Sequence, residues 1–160
     1  MKESESQPAT SVQSMPRSKL AGTTNLYALA AFVALAGLFD ALYLTIEHLQ
    51  GRSVRCTATS GCSEVLGSHY AVIGGVPLAA VGAIAYFTVF SLATLIAFGH
   101  TRLRSVFRII VGLMCGTSLW LLYVQAFVLK AFCQYCLLSA GLSLVLGGIV
   151  IVDWFLHRGE

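Results

Sequence analysis

Two pairs of cysteines are the residues best suited to chemistry in this chain. Cys133 and Cys136 stand in FCQYC, and Cys56 and Cys62 bracket CTATSGC. Two intervening residues bring a CxxC pair within bonding distance when the motif starts a helix. The free N–H groups and the dipole at that helix end stabilise a thiolate on the first cysteine. A disulfide there closes almost no loop, so it would stabilise little as a staple. Exchange of electrons is the better use. Zinc is the main rival, and it would need Cys56 and Cys62 as its other two ligands. Taken alone, Cys56 and Cys62 read equally well as a loop staple. Two dithiols on one membrane face, however, permit a relay by thiol–disulfide exchange. The small residues of TATSG suit a segment that changes partner.

The elements that must position these pairs are apolar. The sequence is 57% hydrophobic and 11% charged, with a mean hydropathy of +0.80. Soluble domains carry about a quarter charged residues. Four spans emerge: Leu26–Ile46, Val76–Phe98, Ile109–Leu129, and one within Ala131–Val152. Each approaches or exceeds the roughly 20 residues that a helix needs to cross a bilayer. In lipid every backbone group must be satisfied internally, so the spans should be helices. The prediction is an all-α membrane protein, a four-transmembrane-helix bundle with helices about 26–46, 76–98, 107–129 and 134–155. The loop Glu47–Gly75 starts polar and ends apolar and glycine-rich (YAVIGGVP); a short interfacial helix is expected in its second half, with Pro77 in the first turn of the next span. Residues 1–24 are polar and read as a disordered tail. They lack the plan of a cleaved signal peptide, so the first span reads as retained.

Seven of the ten Lys and Arg residues (Lys2, Arg17, Lys19, Arg102, Arg104, Arg108 and Arg158) fall on one side of these spans; Arg52, Arg55 and Lys130 fall on the other. The positive-inside rule puts both termini and the Arg-rich turn in the cytoplasm and both cysteine pairs on the opposite, oxidising face. Within the spans, Asp40 is the conspicuous ionisable group. It either takes up a proton in redox chemistry or bonds a hydroxyl or indole on a neighbouring helix. Cys115 reads as a small core residue. Gly112 and Gly116 beside it suggest close helix packing. Ser68, His69 and Tyr70 could bond a ligand at the bundle mouth, or could simply anchor the loop there.

The order of the pairs resembles the vitamin K epoxide reductase family. The resemblance rests on Cys56 and Cys62, on Ser68-His69-Tyr70-Ala71, on Gly75-Val76-Pro77 and on Cys133-x-x-Cys136, and it covers about residues 26–156. DsbB-type disulfide generators also have four helices and two dithiols, but their CxxC comes in the first outer loop. The resemblance implies a bundle around a quinone, ubiquinone or menaquinone, as electron acceptor. Cys133 and Cys136 would be the active-site pair, with Cys136 meeting the quinone. Cys56 and Cys62 would take electrons from a thioredoxin-fold, DsbA-like partner and pass them to Cys133. Ser68 matches a hydroxyl residue of the family's site.

Animal members reduce vitamin K and its epoxide in the ER, using an asparagine and a tyrosine that hold the quinone. Spacing puts Leu78 and Ala140 at those positions, which favours a simple quinone acceptor. Many bacterial members carry a fused thioredoxin-like domain after the last helix. This sequence ends at Glu160, so a separate partner is expected. The expectation is therefore a quinone-dependent thiol oxidoreductase of a bacterial inner membrane, supporting disulfide formation, with no metal and no nucleic-acid partner. The alternatives are an ER epoxide reductase, a carrier of soft metals such as mercury or copper, and a bundle stapled by two structural disulfides.

Overall fold

The computed structural model describes residues 17–51 and 61–157. Among the described residues there are five α-helices: α1 (Arg17–Leu49), α2 (Cys62–Leu66), α3 (Leu78–Ala97), α4 (Arg104–Tyr123) and α5 (Gln134–His157). Four of them are long and apolar enough to cross a membrane, within Thr24–Leu49, Leu78–Ala97, Thr101–Leu129 and Gln134–Leu156. The predicted bundle is therefore present, with bounds shifted by a few residues. The larger difference is at the N-terminus. Residues 17–24, expected in the tail, are already helical. Between Pro16 and Leu26 there is no proline, and the single Gly22 costs only about 1 kcal/mol, so the apolar span propagates outward into polar residues. The remainder of the expected tail lies outside the described residues.

The core is built from small residues that let helices approach closely. Ala30, Ala34 and Ala41 of α1 are buried with Ala83, Val89 and Ala93 of α3. Gly37 lies on the same face of α1, where a Cβ would overlap the Tyr86 ring. Large apolar side chains such as Phe32 and Ile84 point outward, as a lipid-facing surface requires. At the end away from the cysteines, Arg108 Nη2 donates to Asp153 Oδ2 at 2.7 Å. Tyr27 and Phe107 meet edge-on beside this pair, with Arg104 over the Tyr27 ring. Asp153 is buried, and its pairing explains why an acid is tolerated near the end of the last span.

The short helix expected in the loop is present as α2, in the loop's second half, while the apolar end YAVIGGVP folds otherwise. Residues His69–Ala71 form one 3-10 turn, followed by a two-stranded antiparallel ladder, β1 (Val72–Ile73) and β2 (Val76–Pro77). Val72 pairs with Pro77 and Ile73 with Val76. Gly74 and Gly75 both have positive φ, the geometry of a type I′ hairpin turn. The helical piece of the loop is α2, which starts at Cys62.

The GxxxG pattern does not pack a helix within this chain. Among the described residues nothing lies within 4 Å of a Cβ placed at Gly112 or Gly116. The close approach of α4 to α5 is instead between Cys115 and Gly147. There the Cys115 thiol donates to the Ser143 carbonyl at 3.1 Å.

Candidate functional site

Two local devices place the CxxC. The last turns of α4 widen into a π-helix at Val124–Leu129, a form often found at functional sites. Lys130 then takes a left-handed conformation, φ 49°. This costs a non-glycine residue of order 1 kcal/mol, and it stops α4 abruptly enough that α5 can begin at Gln134. The N–H of Ala131 closes the turn on the Gln125 carbonyl at 3.2 Å. The Gln125 side chain is buried, and its Oε1 accepts the backbone N–H of Cys133 at 3.1 Å. Cys133 thereby sits one residue ahead of α5, as the spacing predicted, with its thiol at a helix N-terminus.

The Cys133 thiol is pulled down to a pKa of about 7. The thiol of Cys136 hydrogen-bonds its sulfur, burial opposes this, and the backbone N–H groups of Cys136 and Tyr135 add to the pull. An ordinary thiol titrates near 8.5. Because the shift is downward, the anion is present above the lower value. With the loop disulfide intact, the first thiolate absorbance of the reduced CxxC is expected to rise through pH 7. A single rise above pH 8.5 in an ultraviolet titration would contradict that.

The loop reaches this thiol. Cys62 is disulfide-bonded, whereas Cys133 and Cys136 are free. The sulfurs of Cys62 and Cys133 lie 3.7 Å apart, both fully buried. A disulfide sulfur carries no proton, so this is a sulfur–sulfur contact into which Cys133 presents its own proton or thiolate. Gly61 permits the approach: a Cβ there would lie 2.9 Å from both the Ala131 Cβ and the Phe132 nitrogen. Cys56 lies outside the described residues. The predicted pairs therefore meet at the position of Cys62 and Cys133.

Beneath the contact is a cavity of about 350 Å³ between the helices. The four residues expected at a quinone, Cys136, Ser68, Leu78 and Ala140, all line it. Ser68 donates its hydroxyl to the Val65 carbonyl at 2.7 Å, so it faces the cavity as an acceptor. Leu78 and Ala140 offer only apolar contact. Tyr70 stands half-exposed at the rim, and the side chain of His69 is outside the described part.

The main polar groups of the cavity are ones that sequence reasoning passed over or left open. Tyr86 donates to the Ser139 carbonyl at 2.8 Å and lies 3.1 and 3.0 Å from the hydroxyls of Ser139 and Ser143. Gln125 and Asp40 also reach it. Asp40 is buried, and its Oδ2 has no hydrogen-bond partner among the described residues. A lone amide in an otherwise apolar span was the available signal for Gln125.

The cavity suits a small apolar ring that carries a polar oxygen. The volume is in the range of small-molecule pockets, the walls are mostly apolar, a thiol lines it, and a buried polar oxygen awaits a partner. Val81 and Leu113 line the cavity and are also exposed on the outer surfaces of α3 and α4, so the space opens sideways between those helices.

Residues 28–151 match the sequence pattern described as the Vitamin K epoxide reductase family. The thiol-disulfide oxidoreductase LTO1 of Arabidopsis thaliana is 33% identical over 125 residues, which is 72% of this chain and 33% of that protein. This chain thus spans about a third of the length of that relative.

Proposed function

Because the chain belongs to the vitamin K epoxide reductase family, we propose that it is a membrane thiol oxidoreductase that moves electrons from a water-borne dithiol to a lipid-borne quinone. The observation that carries this reading is the 3.7 Å contact between Cys62, already in a disulfide, and the free thiol of Cys133. A mixed disulfide needs an S–S distance of about 2.05 Å, so a small displacement makes the bond. The name of the Arabidopsis relative supports the reaction class.

In the proposed cycle, a thioredoxin-fold, DsbA-like partner reduces the Cys56–Cys62 disulfide and leaves oxidised. The Cys62 thiolate attacks Cys133 in the Cys133–Cys136 disulfide and frees Cys136 as a thiolate. Cys56 then attacks Cys62, re-forming the loop disulfide and leaving the CxxC as a dithiol. Cys133 and Cys136 close again as their two electrons and two protons leave. When bound, a quinone supplies the two-electron, two-proton sink for this last step. Cys136, Ser68, Leu78 and Ala140 are the residues that would hold its ring, with Tyr86 and Gln125 as further polar contacts. The apolar side chains at Leu78 and Ala140 favour a simple ubiquinone or menaquinone over an epoxide. The charge distribution supports an inner membrane with both termini cytoplasmic and the cysteines outside.

The test is quinone reduction by the purified protein. With a reduced thioredoxin-fold dithiol and a short-chain ubiquinone, quinol should form in proportion to dithiol oxidised. Dithiol oxidation that ignores the quinone would discard the reading.

A further inference from the structure

We propose that Asp40 is the residue through which the cavity exchanges a proton with a ligand oxygen held beside Cys136. The proposal rests on the quinone-linked reading above. Among the described residues, the titratable groups lining the cavity are Asp40, His48, Tyr70, Tyr86 and Cys136. Cys136 belongs to the electron-donating pair. The Tyr86 hydroxyl proton is committed to the Ser139 carbonyl. Tyr70 is at the rim, and His48 lies two helical turns nearer the mouth than Asp40. Asp40 alone combines depth with an uncommitted buried oxygen.

Its level in the bundle suits the role. The rings of Tyr43 and Tyr135 meet at 5.4 Å, which fixes the register of α1 against α5. Three residues deeper on α1 is Asp40, and one residue deeper on α5 is Cys136. At 1.5 Å per residue the two stand within about one turn, 5.4 Å, of each other along the axis. A ring seated against Cys136 therefore has an oxygen within the reach of a carboxyl on the facing helix. A buried acid inside a membrane span with no ion partner is costly. Asp153, the acid at the other end, is held by Arg108. Among the described residues Asp40 has no such partner, and a role at the cavity accounts for it.

The balance of the step is closed. As Cys133 and Cys136 form their disulfide, the two thiols lose two electrons and two protons. Both electrons and both protons end on the quinone. Asp40 gives its carboxyl proton to a ring oxygen and regains one from the thiol pair, so it returns to its starting form.

Asp40→Asn keeps the shape and removes the exchangeable acid. In the purified full-length chain, exchange between a reduced dithiol and the cysteines, measured without quinone, should match the wild type. Quinol formation should fall about a hundredfold, the scale of general acid–base catalysis. Equilibrium binding of a short-chain ubiquinone should persist, and Asp40→Glu should recover part of the rate. Independently of turnover, the infrared difference spectrum of wild-type protein upon adding ubiquinone should show a carboxyl C=O band that Asp40→Asn lacks. Quinol formation within about threefold of wild type, well below the general-acid scale, would overturn the proposal. So would equal loss of thiol exchange and quinol formation, which marks a structural role. If Asp40→Asn does not fold, the wild-type spectrum decides, and no quinone-sensitive carboxyl band means no such role. A wild-type protein that reduces no quinone sinks the parent reading and this one together.

Discussion

A Cys136→Ser chain is expected to form no quinol and to accumulate a covalent bond between Cys62 and Cys133. Cys136 is the thiol that lines the cavity, so its loss removes the electron exit altogether. Cys133 keeps its place ahead of α5 and still faces the bonded Cys62 sulfur at 3.7 Å. Its thiolate can attack that disulfide and release Cys56; Cys56 can return to Cys62, but Cys136 is no longer there to break the link from the CxxC side, so the linked form persists in equilibrium. Peptide mapping under non-reducing conditions should find the Cys62–Cys133 link in a sizeable fraction of molecules. Cys133→Ala should show neither the link nor activity. Quinol formation by either variant, or a link from Cys136→Ser to some other cysteine, would mean that the electrons take another route.

Gly61→Ala should slow electron transfer between the loop and the CxxC by about a hundredfold, the cost of roughly 1 Å of misplacement at a reacting centre. The added methyl would meet the Phe132 nitrogen at 2.9 Å and its carbonyl oxygen at 3.1 Å. These are backbone atoms in a short connection between two long helices and cannot step aside. The loop must retreat instead, and Cys62 is the next residue along it. Gly112→Ala is the matched control: its Cβ would meet nothing within 4 Å, and the change should only favour the helix slightly. Single-turnover reoxidation of a reduced loop measures the effect, while quinol formation from a CxxC reduced directly by a small dithiol should be spared. An unchanged transfer rate in Gly61→Ala would show that the sulfurs do not need this approach.

The four long helices were legible because their physical requirement is simple, a run of apolar residues of sufficient length. The position of Cys133 ahead of α5 was legible for a similar reason, since a CxxC beside an apolar span has few places to go. The short loop helix was legible and is α2, whereas the Gly-Gly turn was legible but passed over: two glycines between Val72-Ile73 and Val76-Pro77 are a hairpin signature. Gly61 was taken as flexible, whereas its lack of a side chain serves contact with Phe132, a residue 71 positions away. No local pattern encodes such a distance. The same holds for Tyr86, whose partners Ser139 and Ser143 are fixed only when α3 and α5 pack. Gln125 bonds the Cys133 N–H because α4 ends in a π-helix, and no local sequence pattern encodes that widening.

The gap beside Val81 and Leu113 bears on what the protein can distinguish. A guest entering there need not lift the hairpin overhead, and whatever trails from its ring stays among the acyl chains. Selection would then act on the headgroup and ignore tail length. The cell's own pool, whichever isoprenoid series it happens to synthesise, would set the natural acceptor.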